Sequence, residues 1–272
     1  MAVGVAPQER SLGVIGAGSM GGALVRGVLQ AGWIAPENLK VYDPDAARQR
    51  ELQVLGITPA SHNGEVLAVP AVVLAVKPQV ADRVLAEIAP LSAGRLLISL
   101  VAGLTLSRLE EALPEARVIR AMPNTPLAVG EGVTALVPGS RAAPEDLAFA
   151  RELFDTVGTA FVVEEAHLDA VTGLSGSGPA FVAVFIEALA DGGVRMGLPR
   201  TLAQELAVRT VQGTAALLLS QGLHPAQLKD QVASPGGTTI AGLHALEQGG
   251  LRGVVMDAVQ MAAWRARELA RR

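Results

Sequence analysis

The chain has no cysteine. Disulfides, thiolate metal sites and a cysteine nucleophile are therefore excluded. Histidine is scarce: His62, His167, His224 and His244 are the only four, and none stands at metal-ligand spacing from another. Lysine is scarcer still, since 19 of the 22 basic residues are arginine and only Lys40, Lys77 and Lys229 are lysine. That scarcity makes Lys77 conspicuous. No basic block occurs and the net charge is −4, which argues against a nucleic-acid or membrane-surface partner. No run of about 18 uncharged apolar residues occurs, so no bilayer-spanning segment is expected. Met1 to Gln8 lacks a basic start and a long apolar stretch, so it does not read as a signal peptide. The expectation is a soluble cytoplasmic protein with a flexible N-terminus over residues 1–10.

What is present supports a large core. Half of the 272 residues are hydrophobic, and the length suits two domains. Leu12-Gly13-Val14-Ile15 is a short apolar strand. Gly16-Ala17-Gly18-Ser19-Met20-Gly21 follows, and Ala23 to Leu29 has helical periodicity. This is G-x-G-x-x-G between a strand and a helix, the context in which it signals dinucleotide binding. Gly16 allows the tight turn, Gly18 lets the backbone approach a pyrophosphate, and Gly21 lets helix and strand pack closely. A second strand, Leu39 to Tyr42, ends at Asp43. An acidic residue there commonly binds ribose hydroxyls and repels a 2′-phosphate, which favours NADH. Asp43-Pro44-Asp45 is equally a turn opening a helix, and Arg48 and Arg50 downstream could meet a phosphate. The lean to NADH over NADPH is therefore slight.

Strand and helix signals continue to alternate. A helix is expected over Asp45–Leu55, a strand near Gly56–Thr58, and a turn at Ser61-His62-Asn63-Gly64. A buried strand, Ala71–Val76, ends in Lys77-Pro78-Gln79. A helix over Val80–Ala89 leads to the strand Arg95–Val101 and the small-residue turn Ala102-Gly103. A helix over Leu106–Leu113 and the strand Arg117–Arg120 lead to the two-proline loop Met122-Pro123-Asn124-Thr125-Pro126. Gly132–Val137 and Phe161–Val163 read as the last strands. The alternation predicts a doubly wound parallel sheet of Rossmann type over residues 11–164. Ligands sit at the C-terminal ends of such strands, which puts Lys77 and the 122–126 loop in view, against the plain alternatives of a solvated cation and an irregular connection.

After about Glu164 the strand signals stop. Helices are expected over Pro179–Met196, Arg200–Gln221, Pro225–Val232, Thr238–Gln248 and Leu251–Arg271. Residues 165–272 are thus an all-α domain whose long apolar faces suit either a second copy of the chain or an ordinary monomeric packing. Two loops stand out. Leu174-Ser175-Gly176-Ser177-Gly178-Pro179-Ala180 opens a helix, where it caps the helix or makes room for a nicotinamide. Ser234-Pro235-Gly236-Gly237-Thr238-Thr239 opens another. A glycine turn feeding a helix N-terminus offers unpaired N–H groups to a small anion such as a carboxylate, although threonine can also simply cap it.

These segments together resemble the 1-pyrroline-5-carboxylate reductases. The resemblance runs through the glycine fingerprint, Ala75-Val76-Lys77-Pro78-Gln79, Arg120 to Pro126, Gly173 to Ala180 and Ala190 to Pro199. It is most specific at Leu228 to Ile240. It implies a Rossmann domain followed by a helical dimerisation domain, with an active site completed across a homodimer, and it leaves open a larger ring of dimers. It implies hydride transfer from NAD(P)H to C5 of the cyclic imine, giving L-proline. Thr239 would hydrogen-bond the imine nitrogen, and Ser234 with the N–H groups of Gly236, Gly237 and Thr238 would hold the substrate carboxylate. Gly16, Gly18, Ser19, Met20 and Gly21 would surround the pyrophosphate. Asn63, Ala75, Val76, Lys77, Pro78, Ala102, Met122 and Asn124 would line the ribose and nicotinamide sides, while position 43 varies in such enzymes and Asp43 is placed at the ribose by its distance from the glycines alone. No metal is implied.

The nearest rival is the 3-hydroxyacid dehydrogenases, which share the glycine start and an all-α second domain. They look to a lysine early in the helical domain, and here no lysine lies between Lys77 and Lys229. A nucleotide-binding regulator without turnover is the other alternative. It explains the first half and leaves Ser234–Thr239 without a purpose.

Overall fold

The computed structural model describes residues 10–270. The chain divides into two compact units. One runs to Gly176 and regains the chain from Ala262; the other is Ser177–Met261. The signal-peptide question and most of the expected flexible N-terminus lie outside the described residues.

The first unit is built on a 7-stranded sheet in the order β2-β1-β3-β4-β5-β6-β7. Its strands are β1 (Leu12–Ile15), β2 (Leu39–Tyr42), β3 (Ala71–Leu74), β4 (Leu96–Ser99), β5 (Arg117–Met122), β6 (Gly132–Pro138) and β7 (Gly158–Val162). Every residue of β1, β3 and β4 is buried, as a sheet covered on both faces requires. The covering helices are α1 (Ser19–Gln30), α2 (Ala46–Val54), α3 (Asn63–Val66), α4 (Pro78–Ile88), α5 (Leu106–Ala112) and α6 (Pro144–Asp155). Two apolar layers result. Leu24, Val25 and Val28 of α1 join Phe154 of α6 in one, and Val84, Leu85 and Ile88 of α4 join Leu109 of α5 in the other. Each fully buried side chain of this kind contributes roughly 1.5–3 kcal/mol.

Two expectations are corrected. The sheet is not wholly parallel, because β6 pairs antiparallel with β5. Only residues 123–131 separate them, with a 3-10 turn at Thr125–Val129, and that is too short for the helical crossover a parallel pair needs. The strand near Gly56–Thr58 does not form. Gly56 turns with φ +81, and Ile57 donates its N–H back to Leu52 O at 3.1 Å. The segment reaches the sheet through one bond, Ala60 N to Val41 O at 2.8 Å. The expected Asn63 turn is the short helix α3. The helix α6 carries a plain start signal, proline at its first position and Glu145 and Asp146 in its first turn.

Beyond β7, α7 (Leu168–Val171) runs into a π-helical turn, Thr172–Gly176, which closes the first unit. The second unit holds α8 (Gly178–Arg195), α9 (Arg200–Gln221), α10 (Pro225–Val232), α11 (Thr238–Gln248) and the start of α12 (Leu251–Ala270). α8 and α9 meet through small residues: a Cβ on Gly193 would stand 3.2 Å from that of Ala203. Only Ala190 of α8, and only Ala203 and Ala207 of α9, are buried. The helical stretch 165–195, with mean hydropathy 1.4, is the one among the described residues long and apolar enough to cross a membrane.

Candidate active site: a dinucleotide cradle and a helix N-terminus

β1, β3, β4 and β5 run parallel, so their C-terminal ends share one edge of the sheet. The glycine loop sits there. Gly16 has φ +95, and its N–H donates to Tyr42 O at 2.8 Å. Ala75 N donates to Ile15 O at 2.8 Å, which brings the end of β3 against the loop. A Cβ on Gly21 would lie 2.0 Å from Gly16 O, so α1 approaches the loop as only glycine permits. α1 starts from Gly18 with no side-chain cap, leaving its first N–H groups to an exogenous acceptor. Ser19 is exposed and Met20 half-buried beside it. This uncapped, glycine-walled N-terminus of a 12-residue helix fits a pyrophosphate.

Asp43, at the end of β2, faces inward. Its side chain is only 5% exposed. Oδ2 accepts from Ala17 N at 2.7 Å and from Arg48 Nη1 at 3.1 Å, and Oδ1 accepts from Asp45 N at 2.9 Å. The carboxylate therefore braces the glycine loop from within. A buried carboxylate beside three N–H donors is stabilised where it is, so any bond to ribose hydroxyls would come in addition to these. Arg48 lies over the loop, its Nη1 3.1 Å from where a Cβ on Gly18 would be.

Asn63, at the start of α3, is buried and donates from Nδ2 to Glu87 Oε2 of α4 at 2.7 Å. Glu65 closes the same helix start, accepting from Ser61 N and Ser61 Oγ at 2.8 Å each. Those two bonds hold its carboxyl below the usual range. Ala75 and Val76 are half-buried, and Lys77 and Pro78 are exposed at the start of α4. Pro78, Gln79 and Ala102 line a cavity of about 380 Å³ whose far wall includes Arg108 and Leu269. A shallower depression of about 500 Å³ at Trp33, Arg151 and Glu152 follows the C-terminus of α1. Met122 ends β5 and Asn124 follows at its tip. Asn124 is 7% exposed, with both polar atoms bonded to backbone.

The second unit presents the other expected feature. α11 has Gly237 as its N-cap, with no side-chain cap bond. Gly236 takes φ +66 to make the turn, and a Cβ there would meet nothing within 4 Å. Gly237 N–H donates to Ser234 O at 3.1 Å, so this group closes the turn. Ser234, Gly236 and Thr238 are exposed, and Thr239 is half-buried. An uncapped 11-residue helix with hydroxyls at its mouth suits a carboxylate. Among the described residues no group of acidic and histidine side chains could hold a metal ion.

A glycine-walled phosphate cradle at the ligand edge of a mostly parallel sheet, followed by a helical unit, defines a dinucleotide-dependent oxidoreductase of the Rossmann class. Comparison with known proteins narrows the class. Residues 165–269 match the family described as pyrroline-5-carboxylate reductase dimerisation, and residues 11–103 match NADP oxidoreductase coenzyme F420-dependent. The chain is 48% identical to the pyrroline-5-carboxylate reductase of Synechocystis sp., over 96% of this chain and 98% of that one. It is 45% identical to the Methanosarcina acetivorans enzyme of the same name, over 97% and 100%. The crystal structure of the Plasmodium falciparum pyrroline carboxylate reductase with NADP bound superposes with a TM-score of 0.87 at 34% identity, covering 97% of this chain and 99% of that one. The chain belongs to the pyrroline-5-carboxylate reductase family.

Proposed function

We infer that the protein reduces 1-pyrroline-5-carboxylate to L-proline, the last step of proline biosynthesis, with NAD(P)H as reductant. The observation that carries this is the α11 N-terminus: uncapped, turned by Gly236 and flanked by Ser234, Thr238 and Thr239, in a chain that also holds a dinucleotide cradle. The cofactor, when bound, supplies the hydride. The first N–H groups of α1 and the Gly16–Gly21 loop hold its pyrophosphate, and Ala75, Val76, Lys77, Pro78, Ala102 and Met122 border its ribose and nicotinamide ends. Ser234 and the N–H groups of Gly236 and Thr238 hold the substrate carboxylate; Gly237 shapes the turn.

The ring has no leaving group, so no nucleophile is needed. Hydride attack at C5 is easier when the imine nitrogen is protonated. The site must therefore orient the ring and hydrogen-bond that nitrogen. Thr239 takes this role; as a weak acid it orients the iminium or relays a proton from water. The site is completed across a homodimer, to which the exposed apolar helices of residues 165–272 contribute, and a ring of such dimers is the larger assembly. The setting is the cytoplasm, with no nucleic-acid or membrane partner.

A slight preference for NADH rests on charge at the end of β2. Arg48 is shared between Asp43 at 3.1 Å and Asp45 at 3.8 Å, so its guanidinium is already committed to two carboxylates, and the exposed Arg50 is what is left on this helix to meet a phosphate. A 2′-phosphate is disfavoured there. Parallel steady-state assays test the whole reading. Turnover of pyrroline-5-carboxylate and none of 3-hydroxyacids supports it. Cofactor binding without turnover of either favours a regulator, and a large NADPH preference overturns the charge argument.

A further inference from the structure

Asn124 stands where a cofactor contact is expected, yet its side chain is committed elsewhere. Its Oδ1 accepts from Val133 N at 2.8 Å, and its Nδ2 donates to Ser175 O at 3.0 Å. The orientation of the amide follows from its partners, because a backbone N–H only donates and a carbonyl only accepts. Asn124 therefore joins three segments: the loop at the tip of β5, the first residues of β6, and the π-helical turn Thr172–Gly176. A second tie runs alongside. Met122 packs its terminal methyl so closely on Gly176 that a Cβ there would lie 3.0 Å from it. The turn is also tied to α7, since Ser175 Oγ donates to Val171 O at 3.0 Å and Thr172 Oγ1 to Leu168 O at 2.7 Å.

We propose that Asn124 is a positioning residue for hydride transfer: it clamps the β5-tip loop to the π-turn and touches neither cofactor nor substrate. A π-turn is an irregular element that persists only when its surroundings determine it, and such turns recur at functional sites. The clamp holds the loop that borders the nicotinamide in one place while leaving cofactor affinity to the glycine loop and the end of β3. This rests on the reductase function inferred above. Aspartate is the informative replacement. It keeps an acceptor for Val133 N–H and loses the donor to Ser175 O, setting a carboxylate against a carbonyl.

The test has two arms. In cofactor-free protein, hydrogen exchange over residues 172–178 quickens in Asn124→Asp while the Val133 amide stays protected, and Asn124→Ala releases both. In the enzyme, Asn124→Asp lowers kcat about tenfold or more, the cost of a small misplacement of reacting groups. Its dissociation constants for NAD+ and NADP+ stay within about threefold. The primary isotope effect from deuterated reductant rises. If Asn124→Ala fails to fold, Asn124→Asp carries both arms alone, because it keeps the acceptor for Val133 N–H. Cofactor affinity falling in step with kcat/KM would make Asn124 a direct contact and overturn the proposal. Unchanged exchange, or unchanged kinetics with a loosened turn, would overturn it too. A wild-type enzyme that does not turn over pyrroline-5-carboxylate refutes the reductase function instead, and the exchange arm still reads the clamp.

Discussion

The sheet unit and the helical unit solve the same folding problem differently. The first buries its apolar residues in itself: Leu24, Leu12 and Phe154 are fully buried, and β1, β3 and β4 expose nothing. The second leaves them out. Val184 is 65% exposed, Leu219 84% and Met256 66%, and neither α11 nor α12 buries a single residue. A surface that apolar on four long helices is what an intersubunit core looks like when one copy is viewed alone. The cradle is thus buried within one chain, while the helical unit leaves apolar faces of the kind that the proposed second copy would cover.

Substitutions in the two units test this contrast. The largest effect is expected from Val184→Glu combined with Phe185→Glu. Charges in a buried interface cost several kcal/mol each, so sedimentation should show loss of the dimer. Val54→Glu, an equally apolar position that is 87% exposed on the sheet unit, should leave stability within about 0.5 kcal/mol. A dimer that tolerates the α8 pair would show that the exposed helices are not the interface. Next comes Leu24→Ala. It should cost about 2–5 kcal/mol in denaturant unfolding of the sheet unit and leave the dimer intact. Thr239→Ala is expected to lower kcat/KM by about 10–100-fold without changing assembly or Tm, a loss of roughly 1.4–2.7 kcal/mol of transition-state stabilisation. Wild-type kcat/KM in that variant would remove Thr239 from the mechanism.

The smallest effect concerns acid. Glu65 is held below the usual carboxyl range by its two bonds to Ser61. Its stabilisation is complete above the ordinary carboxyl value and fades as pH falls through the lowered one. Glu65→Gln should abolish that small slope in acid melts of the sheet unit. Because Glu65 is exposed, an unchanged slope would mean that solvent screens the whole effect.

Much of the sheet unit was legible in the sequence because its signals are local. Gly16, Gly18 and Gly21 sit at the spacing that the loop geometry demands, and the fully buried strands read as continuous apolar runs. The antiparallel β6 was not legible from its residues, because direction depends on connection length and not on the strand itself. Asp43 was visible as an acid at the right distance from the glycines. That it would turn inward onto Ala17 depends on a backbone approach that no spacing reports. Asn124 was named as a cofactor contact on resemblance, and its partners Val133 and Ser175 lie in segments distant enough that only the fold joins them. The helix boundaries of the second unit were read almost to the residue, since Pro225, Gly222 and Gly249 punctuate them. The uncapped N-terminus of α11 was legible from Gly236, Gly237 and the threonines, and the anion it would hold belongs to the proposal. The consequence of those helices' exposure needed the structure.

On the proposed function, the helical unit completes the enzyme only when paired. Specific activity toward pyrroline-5-carboxylate, measured over a dilution series alongside sedimentation at the same concentrations, tests it directly. Activity per chain is expected to fall in parallel with the dimer fraction. A monomer that retains full activity would contradict it.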